Sequence, residues 1–321
     1  MFAVYAAEPN PDDPLAALRV GERPAPPVPD GFVAVTVRAA SLNMHDLWTL
    51  RGVGIKPERF PMILGCDGAG VLADGSEVVL HSVITSPGWV GEETLDPGRT
   101  LLTEKLQGSF ADTVVLPARN ALPKPASLTF PEAACMGTAW LTAYRMLFVR
   151  SGLRPGQAML VQGASGGVST ALVQLGRAAG MRVWVTGRTE AKRELARELG
   201  AHQAFEPGAR LPERVDAVFE TVGKATWSHS VKSLKPGGII VCSGATSGDA
   251  ERAELARVFF LQLRVVGSTM GTRDELADLL SFLDLTGLRP QIGLRLPMSE
   301  AEQGFQAMLT GITAGKIVFT R

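Results

Sequence analysis

Apolar and polar residues alternate through GFVAVTVRAASLN (31–43), the period-two signature of a strand with one buried face. Shorter stretches of the same kind follow at GAGVLA (68–73), EVVLH (77–81) and ADTVVLP (111–117), with turn-formers between them, so the first third of the chain is expected to be a β-rich lobe. Segment 84–108, ITSPGWVGEETLDPGRTLLTEKLQG, has no clear period and reads as a loop. Loops of that length in compact domains often border a site.

The texture changes at PKPAS (123–127), after which strand and helix patterns alternate. Such alternation implies parallel strands joined by crossover helices. AMLVQG (158–163) is an apolar strand; Val168, Leu172, Leu175 and Ala179 then fall at helical spacing, and Gly180 ends the run. MRVWVT (181–186) predicts the next strand and TEAKRELARELG (189–200) a capped helix. VDAVFETVG (215–223), GGIIVCSG (237–244) and LRVVGSTMG (263–271) predict later strands, each ending in small or hydroxyl residues, as strands do when their carboxyl ends line a ligand crevice. Helix patterns at 274–284 and 299–310 precede a final strand, GKIVFT (315–320). The expected class is α/β, a Rossmann doubly wound parallel sheet beside a β-rich lobe, and 321 residues suit two such lobes.

Composition removes several alternatives. Lys and Arg total 32, balanced by 32 Asp and Glu, so no polyanion footprint exists and nucleic-acid binding is disfavoured. Three widely spaced cysteines, Cys66, Cys135 and Cys242, give no disulfide framework and suggest a reducing compartment. No run of about 18 apolar residues predicts a membrane span, and MFAVYAAEPNPDD lacks the basic start of a secretory signal, so the expected location is the cytoplasm.

The strongest chemical signal is AMLVQGASGGVS (158–169). A buried strand runs into Gly163, Ser165, Gly166, Gly167 and Val168, and a helix starts at once. Glycines permit the tight turn and the approach of backbone N–H groups to a pyrophosphate, which the helix N-terminus also favours. An NAD-selective site carries an acid at the end of the second strand to hold the ribose 2′-hydroxyl. Here that strand ends in Gly187, Arg188 and Thr189, with Lys192 one turn on. Two cations and a hydroxyl suit a 2′-phosphate, so the expected cofactor is NADP(H).

The sequence resembles the medium-chain dehydrogenase/reductase superfamily, in particular its zinc-free quinone oxidoreductase-like branch. The likeness covers roughly residues 20–321 and rests on SLNMHDLWTLRG (41–52), PMILGCDGAGVL (61–72), GTAWLTAYRML (137–147), VQGASGGVS (161–169) and GKIVFT (315–320). It implies a GroES-like substrate lobe at 1–123, a Rossmann NADP-binding domain at 124–267 and a segment 268–321 returning to the first lobe, with the cofactor in the cleft between lobes. It also implies a homodimer or tetramer formed through the edge of the Rossmann sheet, at strand 263–268.

The same resemblance assigns further residues. The zinc-dependent branch places metal ligands where this chain has Asn43, Cys66 and Thr138, and one thiol, an amide and a hydroxyl do not make a catalytic zinc site. Residues 67–134 hold no cysteine for a structural zinc, so no metal is expected. Enoyl-thioester reductases of the superfamily carry a catalytic Tyr shortly after the Asn element, and RGVGIKPERFP (51–61) has none. Asn43 is expected to orient the nicotinamide ribose or the substrate oxygen, and His45 to relay a proton. Thr142, the groups Gly244-Ala245-Thr246 and Ser268-Thr269-Met270, and Lys316 (which resembles a phosphate-contacting basic residue) complete the expected cofactor shell. The activity implied is NADPH-dependent reduction of a small quinone, carbonyl or enone. Zinc alcohol dehydrogenase and a non-catalytic NADPH-binding regulator are the alternatives.

Overall fold

The computed structural model describes residues 1–321, which form two compact units: Met1–Leu141 together with Met270–Arg321, and Thr142–Thr269.

The second unit is built on six parallel strands. From Ala158–Val161 the chain steps outward one way through Arg182–Thr186 to Gln203–Phe205, then returns to place Val215–Glu220, Leu234–Cys242 and Arg264–Gly267 in succession on the other side. The order reverses beside Ala158–Val161, which is where doubly wound sheets bind their ligands. All four residues of that strand are buried, as both faces of a parallel sheet demand. Helices Gly167–Ala178 and Glu190–Glu198 follow the first and second strands. Ala158, Leu160, Trp184, Val218, Val231 and Leu234 are part of one core on this sheet.

In the first unit a seven-stranded sheet runs in the order 121–123, 77–80, 67–71, 32–42, 316–320, 292–297, with 113–117 also beside 32–42. A three-stranded sheet joins 18–22, 2–6 and 62–63. Phe110 packs edge-on against Phe319, ring centres 5.1 Å apart, with Phe305 6.3 Å from Phe110. Strand register does the functional work: Leu42 lies opposite Ile317 on one side of the long strand, and Ser41 opposite Asp67 on the other. Residues far apart in sequence, Asn43, Asp67 and Lys316, therefore meet at one strand end.

Phe2–Ala6, Leu18–Glu22 and Ile292–Pro297 are among the strands not expected from the pattern. Segment 124–141, expected in the nucleotide-binding lobe, falls instead in the first unit. Close backbone approach explains this: a Cβ on Gly137 would come within 2.7 Å of the Leu80 carbonyl oxygen and 2.9 Å of Asp67 Oδ1. No helix is long and apolar enough to cross a membrane.

Candidate active site

In the second unit the expected phosphate turn is built as its residue types require. Gly163 has φ +87°, a left-handed value that strains other residues, and a Cβ on Gly163 or Gly166 would meet nothing closer than 3.7 Å. Gly166 is the N-cap of Gly167–Ala178 and offers no side chain to cap it. The first-turn N–H groups at Gly167 and Val168, beside half-buried Ser165, thus form a donor set suited to an anion. Pattern reading missed the support beneath. Gly163 N donates to Thr186 Oγ1 (3.2 Å), whose hydroxyl donates to Gln162 Oε1 (2.7 Å). Gln162 Nε2 donates to Ser230 Oγ (2.9 Å), and Ser230 donates to the fully buried Glu220 Oε2 (2.6 Å). Glu220 also accepts from Val222 N, Gly223 N and Thr226 Oγ1. A chain of buried hydrogen bonds therefore locks the glycine turn to the ends of three strands.

At the end of the second strand Gly187 is required by packing, because a Cβ there would lie 2.9 Å from Arg193 Cγ and 3.0 Å from Ala164 Cβ. Thr189 caps the next helix, accepting from Lys192 N at 3.3 Å. The one acid in reach, Glu190, is held by Arg193 (2.7 Å) and Arg197 (2.9 Å), and these two guanidiniums keep its carboxyl below the usual range. Arg188 is exposed, and burial together with the nearby Arg188 charge pulls the Lys192 ammonium below its ordinary value. The two cations stand close enough for the Arg188 charge to bear on Lys192.

The remaining expected cofactor residues lie at strand ends or within helices. Thr246 N bonds the Thr221 carbonyl (3.2 Å), with Gly244 half-buried and Ala245 exposed beside it. Ser268 N donates to the Cys242 carbonyl (2.9 Å), while its buried hydroxyl has no partner; Thr269 is exposed. Thr142 is buried at 6% exposure. Met270, in the first unit, has a left-handed φ of 48°.

The first unit gathers Asn43, Cys66, Asp67, Thr138 and Lys316 into one buried cluster. The three places where the zinc-dependent branch puts ligands do converge: Asn43 Nδ2 is 3.5 Å from Cys66 Sγ, which is 3.4 Å from Thr138 Oγ1. A cation already sits there. Lys316 Nζ donates to Asn43 Oδ1 (2.6 Å) and the Leu42 carbonyl (3.0 Å), and lies 3.4 Å from Asp67 Oδ2. Asp67 accepts further from Ser41, Asn43 and Thr138 at 2.9, 2.9 and 2.6 Å. Lys316, expected at a phosphate, is instead 3% exposed with its three donors committed inside this cluster. Asn43, expected to orient the nicotinamide ribose or the substrate oxygen, has its carbonyl oxygen on Lys316 and its N–H₂ on Ser41 O and Asp67. Burial drives the Cys66 thiol well above its ordinary pKa, and the Asp46 and Asp67 charges add to this.

Asp46 is structural, as its position after Asn43 suggests: Oδ2 accepts from Asn43 N (2.9 Å) and Oδ1 from Gly65 N (2.8 Å). Its burial outweighs both bonds and raises its pKa to about 7. His45 is half-buried on helix Met44–Leu50. Burial lowers its pKa, opposed by Glu104, a hydrogen bond to the Leu102 backbone and Asp67, so the neutral ring is favoured. His45 Nε2 lies 2.9 Å from Thr103 Oγ1, and Thr103 belongs to the long aperiodic segment 84–108, which thus packs against His45. Sequence reading missed Thr103, Glu104 and Asp67. His81 is buried with Nε2 3.1 Å from Glu93, a carboxylate that also accepts from Arg119 and Arg273 N.

Comparison with known proteins gives the same outline. The family model described as alcohol dehydrogenase GroES-like domain matches residues 29–126, and that described as zinc-binding dehydrogenase matches 167–284. A solved NAD-dependent alcohol dehydrogenase is 32% identical, with TM-score 0.93 and complete coverage of both chains. Crotonyl-CoA reductase of Streptomyces collinus is 26% identical over 99% of this chain and 84% of that protein. Quinone oxidoreductase of Mus musculus is 26% identical over 89% of this chain and 88% of that protein. The chain belongs to the medium-chain dehydrogenase/reductase superfamily and is an oxidoreductase with the GroES-like and Rossmann parts of that fold.

Proposed function

We propose that the protein is a metal-independent, NADPH-dependent reductase of quinones or activated carbon–carbon double bonds, in the zinc-free quinone oxidoreductase-like branch. The observation that carries this reading is the Lys316 ammonium 2.6 Å from Asn43 Oδ1, in the cluster where zinc-dependent relatives assemble ligands. A divalent ion there would face a fixed positive charge at a few ångströms in a buried site, where repulsion is large. The donors that remain are an amide, a hydroxyl and a thiol held protonated, all poor zinc ligands, and the Asp67 carboxylate, which is already taken up by Lys316, Ser41, Asn43 and Thr138.

NADPH, when bound, supplies the hydride that goes to the electrophilic carbon. Gly163, Ser165, Gly166, Gly167 and Val168 bind its diphosphate through backbone N–H groups. Arg188, Thr189 and Lys192 hold the 2′-phosphate, and the capture of Glu190 by Arg193 and Arg197 removes the acid that would favour a bare ribose. Solvent supplies the proton that completes the reduction, with the neutral His45 ring at the site as its relay. Asn43, Asp67 and Lys316 hold the helix that presents His45. Thr142 and the two strand-end groups 244–246 and 268–270 flank the nicotinamide. Substrate names among the relatives, quinone and crotonyl-CoA, belong to those proteins but support a shared activated-alkene chemistry.

Association of two copies through strand Arg264–Gly267 belongs to the same proposal. It is the outer strand of its sheet, and Phe259, Phe260 and Val265 beside it are exposed.

NADPH oxidation measured against a panel of quinones, enones and enoyl thioesters tests the reading. Turnover of at least one class with NADPH, and little with NADH, is expected. Tight NADPH binding with no turnover anywhere, or oxidation of simple alcohols instead, would overturn it.

A further inference from the structure

Thr103 is a β-branched residue with φ 77°, in the left-handed region that a glycine occupies without strain. It is fully buried and its backbone is fixed, with N donating to the Leu106 carbonyl at 3.0 Å. The turn around it is pinned as well, because Glu104 Oε2 accepts from Leu101 N (2.8 Å) and Thr100 Oγ1 (3.0 Å). Its methyl is accommodated by Gly108, where a Cβ would come within 2.6 Å of Thr103 Cγ2.

Glycine is common in this chain and would relieve the backbone here, yet the position holds a threonine. What threonine adds is a hydroxyl. Oγ1 lies 2.9 Å from His45 Nε2 and 3.4 Å from Thr49 Oγ1, while Thr49 donates to the His45 carbonyl at 3.1 Å. The imidazole is thus gripped at one nitrogen by a side chain whose own backbone is locked.

We infer that Thr103 is a positioning residue: its hydroxyl holds the His45 ring at Nε2 and so fixes where the imidazole stands in the site. The inference rests on the reductase reading for its kinetic consequence, but the ring contact itself does not. A hydroxyl can donate to Nε2 or accept from it, so the contact fixes where the ring lies in either tautomer. The left-handed backbone is what brings a side chain of the 84–108 segment to Nε2, so conformation and contact are one device.

Thr103→Val keeps the branching and the backbone demand and removes only the hydroxyl. It should lower kcat about tenfold or more, a fraction of what positioned proton transfer supplies, with KM for NADPH unchanged. Thr103→Ser, which keeps the hydroxyl, should recover most of the loss. In a His45→Ala background Thr103→Val should have little further effect, because both changes act through one ring. An unchanged kcat in Thr103→Val, or an equal loss with and without His45, would overturn the inference. Should the wild type reduce nothing, the reductase reading fails by itself. The positioning claim is then decided by the His45 ring nitrogens in ¹⁵N spectra, which must differ between wild type and Thr103→Val and which refute it if they coincide.

Discussion

Replacing Lys316 with methionine isolates the buried cation. The side chain is 3% exposed and faces Asp67, which is fully buried. Removing one partner of such a pair leaves an uncompensated charge, at about 3–5 kcal/mol. Asp67 would keep its bonds from Ser41, Asn43 and Thr138, which draws the figure toward the lower end. Asn43 Oδ1 and the Leu42 carbonyl would each lose a donor, at about 1 kcal/mol apiece, which draws it back up. For a unit of this size each kcal/mol moves the midpoint by about 2–4 °C, so the first unit's transition should fall by roughly 6–20 °C in a thermal scan. Adding Asp67→Asn to Lys316→Met removes the stranded charge and should restore part of the loss. A midpoint within about 2 °C of wild type, or an additive double variant, would refute the buried ion pair.

Arg188→Ala should weaken NADPH binding by about 1.5–3 kcal/mol and leave NADH nearly unaffected, read by fluorescence titration; equal losses would remove the 2′-phosphate assignment. Asp46 is raised to about 7 in the folded state, so it favours folding most below its unfolded pKa and loses that contribution as pH rises toward 7. Asp46→Asn should therefore flatten the stability profile between about pH 4 and pH 7 in denaturant melts at a series of pH values. Val265→Asp, on the outer strand Arg264–Gly267, should shift sedimentation toward monomer while each chain stays folded.

The parallel sheet was legible because its strands are short apolar runs ending in small residues, and each found its place in the order. The strands Phe2–Ala6 and Leu18–Glu22 were not, since five residues, all apolar in the first and mixed in the second, give no period to read. Ile292–Pro297 does alternate half-buried and exposed, and could have been found but for Gly293 and Pro297 within it. In the site, the signals that sequence can carry are contiguous ones: the glycine turn, and Arg188 with Lys192. What failed was the assignment of contacts. A lysine before the last strand looks the same in sequence whether it meets a phosphate or, as here, a carboxylate 249 residues away. The amide of Asn43 was committed by that same distant lysine, and Thr103 reaches His45 from 58 residues away in a segment with no period.

Chelator-dialysed protein, assayed for NADPH-dependent reduction alongside elemental analysis of the same sample, tests most directly whether the Lys316 ammonium stands where a metal would. Full turnover with zinc far below one ion per chain is the expected result. Activity lost on dialysis and restored by zinc would contradict it.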